Sequence, residues 1–403
     1  LKGPSLVKVG EWFYFRATDT LFEPTFEKGE TYLTYTGDDS KLKAVLDNYK
    51  IRIFKKTYRN ATRENLKKTF FVVADRDFLL DDLLRNAPHL FEFGEVIGEE
   101  DKKIFEPNDY GLTSTIGENL GMQANLDYLD FLEAPKAWYY TTGSPDVFIG
   151  ISDGAVDTTN LEFKYKATQV RKSSISKGHG YSIAANAAAQ GDNAYGIPGI
   201  CYDCSIYGTD YGSFRNMLPL TSVSDLGAKV INCSWVNKRY YETAQEVINE
   251  LFDKGVIVVA SAGNRGWDEE LGRIPYYPAS YDHVISVSSV MYKYDTPYEN
   301  IQYLKSGSPY ALNVKNYVGR SVGFKDRDIN NEHFIWPEST AVLNEEVDIL
   351  APTVGIIRFA DFIFTNEVKY NMFETTSGAS PYVSGTVGLM FSLVPCLPAP
   401  EVE

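Results

Sequence analysis

Five largely apolar runs punctuate the second part of the chain: VFIGIS (147–152), AKVINCS (228–234), VIVVASA (256–262), VISVSSV (284–290) and VDILAP (347–352). None alternates in the way a half-exposed strand does. Continuous apolar strands are buried on both faces, which points to a parallel sheet. Helical patterns lie between and before them. YETAQEVINELFDKG (241–255) reads as an amphipathic helix closed by Gly255, and APKAWYYTTG as a short helix stopped by Gly143. Alternating strands and helices predict a doubly wound, mostly parallel α/β fold over residues 131–403. In such folds the active groups sit beyond the carboxyl ends of strands. Residues 291–345 break the rhythm, are rich in Tyr, Asn and Ser, and read as a long surface insertion. PAPEVE (398–403) has the character of a helix start, with Pro400 in its first turn, so the natural chain is expected to continue and to be truncated here.

Residues 1–100 carry a different pattern. WFYFRAT (12–18), TYLTYTG (31–37), IRIFKKTY (51–58) and TFFVVA (69–74) have the β-branched and aromatic enrichment of strands. DSKLKAVLDNY (39–49) has helical spacing with Asp39 as N-cap, and DRDFLLDDLLRN (75–86) gathers Leu79, Leu80, Leu83 and Leu84 on one helical face. This suits a small α+β domain of the ferredoxin-like, split βαβ kind. Charged and turn-forming residues from GEEDKKIFEPNDYG onward make 101–130 a linker.

Composition narrows the function. Apolar residues make up 44% and charged residues 23% of 403, enough for large cores. The formal charge of −15 disfavours nucleic acid and anionic membranes, which both reward basic patches. No apolar run approaches the roughly 18 residues of a membrane span. The chain starts at Leu1 rather than Met, so its true start is expected to lie upstream. Of the four cysteines, Cys201 and Cys204 form a C-Y-D-C pair. Cys233 and Cys396 do not supply the second pair of a zinc ribbon. The readings left are a redox pair, an unbonded pair, or a short structural disulfide, which suits an exported protein.

The chemistry-bearing residues are sparse. Of four histidines only His179 lies between glycines, in KGHGYSIAANAAAQ. Alone it reads as a loop histidine ahead of an Ala-rich helix. A dinucleotide-binding loop does not fit, because Ile183 occupies the third glycine position. Asp153 follows the VFIGIS run directly, where a carboxylate can accept from a histidine Nδ1–H and fix its tautomer; as a bland alternative it starts a turn. Asn264, in VIVVASAGNRG, lies past another strand end, where its amide can donate to a developing oxyanion; Gly263 also suits a plain turn. In TTSGASPYVSG, Ser377 precedes small residues and Pro381, placed in the first turn of an apolar, buried helix. The serine is either an ordinary cap or a nucleophile facing free N–H groups.

Together these residues supply acid, base, oxyanion donor and nucleophile in the order Asp, His, Ser. The chain resembles the subtilisin-like serine peptidases, the subtilases. VFIGISDGAVD, GHGYSIAA, VIVVASAGNRG and TSGASPYVSG carry the likeness, with INCSWVN similar to the family's substrate-pairing edge strand and YPASYDHVISVSSV to a following segment. The resemblance covers about residues 130–403 apart from the insertion. It implies an Asp153–His179–Ser377 triad, with Asn264 in the oxyanion hole. It also implies a substrate site made by Ser234, Trp235 and Val236 and by Ala260, Ser261, Ala262 and Gly263. Residues 1–100 resemble the family's inhibitory propeptide, processed within about 95–130.

The expected activity is that of a serine endopeptidase acting on proteins or peptides, secreted or at a bacterial cell surface. Its other partner would be its own propeptide, with no nucleic acid and no membrane span. No cofactor is needed for the chemistry. Calcium is common among subtilases, but the chain has no EF-hand-like loop, so a structural site would have to assemble from dispersed oxygens. The sequence departs from the family at Gly154 and Ala155, where Ser or Thr and then Gly are usual. It departs again at Tyr181 and Ser182 after His179-Gly180, at Thr375 in place of Gly, and at Trp235-Val236. These departures motivate the alternative of a catalytically weak subtilase-fold binding or scaffold protein.

Overall fold

Seven parallel strands form the main sheet, in the order β17-β12-β11-β10-β7-β9-β8. They are β7 (Phe148–Ser152), β8 (Ala167–Gln169), β9 (Ser205–Thr209), β10 (Ala228–Cys233), β11 (Ile257–Ser261), β12 (Val284–Val290) and β17 (Ile349–Pro352). The computed structural model describes the chain except residues 1–9, 59–60, 62, 114–119, 174–177, 212–216, 265–273, 319–320, 336–341, 354–356, 360–369 and 373–374. The five apolar runs became β7, β10, β11, β12 and β17. β11 is buried at every position, as a strand covered on both faces must be. Two strands escaped the pattern: β8 is three partly exposed residues at the sheet edge, and the short run of β9 contains Gly208. Helices α6 (His179–Ala188), α7 (Leu218–Ser224) and α8 (Glu242–Asp253) make the crossovers, and α9 (Thr376–Leu393) follows the last strand. Gly255 ends the α8 segment with φ 75°, a left-handed turn that suits glycine. The final residues form the short helix α10 (Ala399–Val402).

Two compact units divide the chain: Leu1–Asp127 with Pro135–Tyr139, and Tyr128–Ala134 with Tyr140–Glu403. The short helices α4 (Asp127–Phe131) and α5 (Ala134–Tyr140) fall where the chain passes between them. The first unit thus extends past residue 100 into the stretch read as linker.

In the first unit β1 (Glu11–Ala17), β4 (Ile53–Lys56), β5 (Thr69–Ala74) and β6 (Phe91–Val96) make an antiparallel sheet in the order β4-β5-β1-β6. Helices α1 (Ser40–Leu46) and α3 (Leu79–Asn86) pack on it around Phe13, Phe15, Leu42, Phe70, Leu83 and Phe91, with α2 (Glu64–Lys67) a single turn before β5. This is the split βαβ arrangement, with one correction. The 31–37 segment contributes only β3 (Leu33–Tyr35), which pairs with β2 (Phe26–Lys28) in a separate ribbon. The fourth strand is β6, whose FEFGEV sequence carries two glutamates and a glycine and does not read as a strand. Asp39 caps α1 as expected, its carboxylate accepting from Lys41 and Leu42 N–H at 3.0 and 2.8 Å.

The stretch read as a surface insertion has its own architecture. β13 (Ile301–Tyr303), β14 (Pro309–Leu312), β15 (Ser321–Phe324) and β16 (His333–Ile335) form an antiparallel sheet over a small core of Met291, Ala311, Val314, Val322 and Phe324. A two-stranded ribbon, β18 (Ile357–Phe359) with β19 (Tyr370–Met372), precedes α9. Cys201 and Cys204 are joined in a buried disulfide, while Cys233 and Cys396 are free thiols. Among the described residues no helix is long and apolar enough to cross a membrane.

Candidate active site

Parallel register brings the expected residues to one end of the sheet. Ser152 on β7 pairs with Cys233 on β10, so the next residues, Asp153 and Ser234, leave neighbouring strands at the same level. Cys233 pairs in turn with Ala260 on β11, four residues before Asn264. Each run stops where its backbone leaves the sheet, and there a polar side chain replaces the apolar series.

Asp153 has no solvent exposure. His179 opens α6, with Nδ1 2.7 Å from Asp153 Oδ1 and 2.9 Å from Oδ2. A carboxylate accepts only, so Nδ1 carries the proton and Nε2 is left as the basic nitrogen. The flanking glycines now have separate reasons. Gly178 takes φ 109° as the residue before the helix. A Cβ on Gly180 would lie 2.0 Å from the Gly154 carbonyl oxygen, so the start of α6 can sit against the Asp153-Gly154 backbone only with glycine there.

Ser377 is the second residue of α9, which packs against α6. Its N–H belongs to the first turn, where a helix offers no carbonyl to receive it. Its hydroxyl lies 3.4 Å from the Ser234 carbonyl, too long to hold it in one rotamer. Pro381 lies in the second turn of α9, not the first, and this has a consequence. Proline has no N–H to give to the carbonyl four residues back, which is that of Ser377. The Ser234 hydroxyl donates to that carbonyl instead, at 3.0 Å. Asn232 Nδ2 donates to Ser234 Oγ at 2.8 Å, and the Ser380 hydroxyl lies 3.0 Å away. Ser234 therefore braces the helix start from the strand end, a role its sequence context did not announce.

Thr375 precedes the helix with φ −133° and ψ 155°, extended geometry open to any residue, so glycine is not required there. Its carbonyl accepts from Thr353 Oγ1 and from Gly378 N–H. Asn264 is exposed, and its Oδ1 accepts from Thr376 N–H at 2.8 Å and Thr376 Oγ1 at 2.9 Å. With the oxygen engaged, Nδ2 is the end of the amide that can donate to a ligand.

The residues expected to bind substrate divide. Val236 is 38% exposed at the strand end, whereas Trp235 is 8% exposed and its indole N–H donates to Ser152 Oγ at 3.1 Å. Ala260 and Ser261 lie inside β11 and are buried, as is Ala262 beside them. Gly263 donates to Thr376 Oγ1 at 3.2 Å and so supports the helix start. Tyr211, just past β9, was not singled out in the sequence; its hydroxyl donates to Asp153 Oδ1 at 2.8 Å. Among the described residues no group of three or more His, Cys, Asp or Glu side chains is placed to hold a metal ion.

The sequence profile of the Subtilase family matches residues 144–403. A thermophilic serine proteinase of Bacillus sp. (strain AK1) is 28% identical over 270 residues, covering 64% of this chain and 55% of that protein. Subtilisin DY of Bacillus licheniformis is 24% identical over 287 residues, 68% of this chain and 87% of its own. Thermitase of Thermoactinomyces vulgaris is 31% identical over 172 residues, 39% of this chain and 60% of its own. The matched segments thus span little more than half of the first and third relatives and most of the second. With the profile covering more than half of its length, the chain belongs to the subtilase family.

Proposed function

We propose that the chain is a serine endopeptidase in which Asp153, His179 and Ser377 are the triad. The Asp153–His179 hydrogen bond at 2.7 Å carries the reading, with Ser377 in the first turn of α9, which packs against α6. His179 Nε2 takes the proton from Ser377 Oγ as that oxygen bonds to the peptide carbonyl carbon. Asp153 holds the tautomer and stabilises the imidazolium. Asn264 Nδ2 and the Ser377 N–H donate to the tetrahedral oxyanion. The imidazolium then protonates the leaving amine, the C–N bond breaks, and an acyl-enzyme remains on Ser377. Water, deprotonated by His179, releases the acid and restores the serine.

The substrate backbone is read as pairing beside Ser234-Trp235-Val236, with Trp235 and Val236 limiting the space for the residue before the scissile bond. Residues 1–100 are read as a propeptide that inhibits the peptidase until it is cut away within about 95–130, and the protein as exported. The buried Cys201–Cys204 disulfide supports that setting, because such bonds persist in oxidising compartments. The test is cleavage of an unfolded protein substrate by the full chain and by its Ser377→Ala variant, with the new termini sequenced. Cleavage by the first alone is expected. Equal activity in both would overturn the reading, and no turnover by a folded, processed chain would favour a scaffold.

A further inference from the structure

Asp153 is a buried carboxylate whose oxygens need donors. Gly154 N–H donates to Oδ1 at 2.5 Å and His179 Nδ1 reaches both oxygens. Gly154 has no side chain, so a third donor has to come from another strand. The register Ser152 with Thr209 places Tyr211 there, and its hydroxyl donates to Asp153 Oδ1 at 2.8 Å and lies 3.4 Å from His179 Nδ1. Three contacts fix this tyrosine. Its ring meets the Trp235 ring edge-to-face, centroids 6.4 Å apart. The preceding Asp210 is paired with Arg171 at 3.0 Å, and the Asp210 carbonyl accepts from Ser152 Oγ at 3.0 Å. Ser152 Oγ also receives the Trp235 indole N–H, so one network joins the carboxylate to the candidate substrate strand.

We infer that Tyr211 is a positioning residue for the Asp153–His179 pair, aiming the carboxylate at Nδ1 through its hydroxyl and tied to the substrate strand through Trp235. The inference rests on the peptidase reading above. Burial, and then the charge of Asp153, pushes the Tyr211 hydroxyl well above its ordinary range, so it stays a donor. Other titratable groups near this carboxylate include His179 itself and the buried Cys233 thiol, with the Arg171–Asp210 ion pair next to Tyr211.

The sign of the effect follows from charge. The hydroxyl stabilises a carboxylate beside neutral imidazole more than one already neutralised by imidazolium. Removing it therefore favours the protonated pair. In Tyr211→Phe, which keeps the ring against Trp235, the acid limb of the kcat/KM profile moves to higher pH. kcat falls roughly tenfold, the scale of one hydrogen bond to a charged group, at unchanged KM. A profile that superimposes on that of the parent overturns the inference. So does a loss of rate uniform in pH and matched by a loss of thermal stability. If the parent shows no turnover, the peptidase reading fails first, and the His179 Nδ1 proton resonance decides instead. Assigned by its absence in His179→Gln, it shifts in Tyr211→Phe if the hydroxyl positions the pair and stays in place if not.

Discussion

Replacing Ser234 by alanine tests how the strand end and the helix start support each other. The Ser234 hydroxyl accepts from Asn232 Nδ2 at 2.8 Å and donates to the Ser377 carbonyl at 3.0 Å, and both it and Ser377 are buried. Ser234→Ala leaves that carbonyl and the Asn232 amide without these partners. Each buried unpaired polar group costs about 1–3 kcal/mol, so the variant should lose roughly 2–4 kcal/mol after partial relaxation. At about 2–4 °C per kcal/mol for a unit of this size, its melting temperature should fall by roughly 5–15 °C. The measurement belongs in a Ser377→Ala background, where self-digestion cannot interfere. Pro381→Ala supplies the missing N–H to the Ser377 carbonyl. In the Ser234→Ala background it should therefore recover about 1 kcal/mol more than it does alone, an interaction energy readable from a double-mutant cycle. A cost below about 0.5 kcal/mol for Ser234→Ala, or additivity of the two changes, would refute the reasoning, since couplings between contacting residues exceed that size.

Other expectations can be checked alongside. Gly180→Ala, whose Cβ would lie 2.0 Å from the Gly154 oxygen, should displace His179 and lower kcat by about a hundredfold, the scale of a misplacement near 1 Å; an unaltered kcat would contradict this. Asn264→Ala should lower kcat about 10²–10³-fold while KM stays within a few-fold, as loss of an oxyanion donor does, and a pure KM effect would argue against the role. Asp39 is held below the usual carboxylate range, first by its hydrogen bond to His89 and next by the Leu42 N–H. A depressed carboxyl contributes stability above the unfolded pKa of about 3.9 and loses it as pH falls further. Asp39→Ala should thus speed hydrogen exchange in α1 by the equivalent of about 1 kcal/mol at neutral pH, with the difference fading as pH falls below the unfolded pKa of about 3.9.

The legible parts of the sequence were those governed by local pattern. A strand buried on both faces is largely apolar, so β7, β10, β11 and β12 announced themselves, and with them the strand ends where Asp153 and Asn264 stand; β17 shared the apolar pattern although it is an edge strand with Ile349 and Leu350 exposed. Glycines around His179 and small residues after Ser377 marked close backbone approaches. What stayed hidden depends on register between distant segments. Tyr211 sits in an unremarkable TDYGS stretch and meets Asp153 only because β9 runs beside β7. The bracing role of Ser234 needs the position of Pro381 in the second turn, one residue-spacing that the apolar pattern of α9 does not specify. β6 was missed because it is an edge strand whose charged positions are exposed. The substrate-site residues Ala260, Ser261 and Ala262 were named from resemblance, and the structure buries all three.

The central claim is that Ser377 is activated by His179. A fluorophosphonate probe phosphonylates an activated serine, and mass spectrometry of the digested protein locates the adduct. Labelling confined to Ser377, lost in Ser377→Ala and reduced by at least about 10³-fold in rate in His179→Ala, is the predicted result. An adduct elsewhere, or labelling of Ser377 at the same rate without His179, would contradict it.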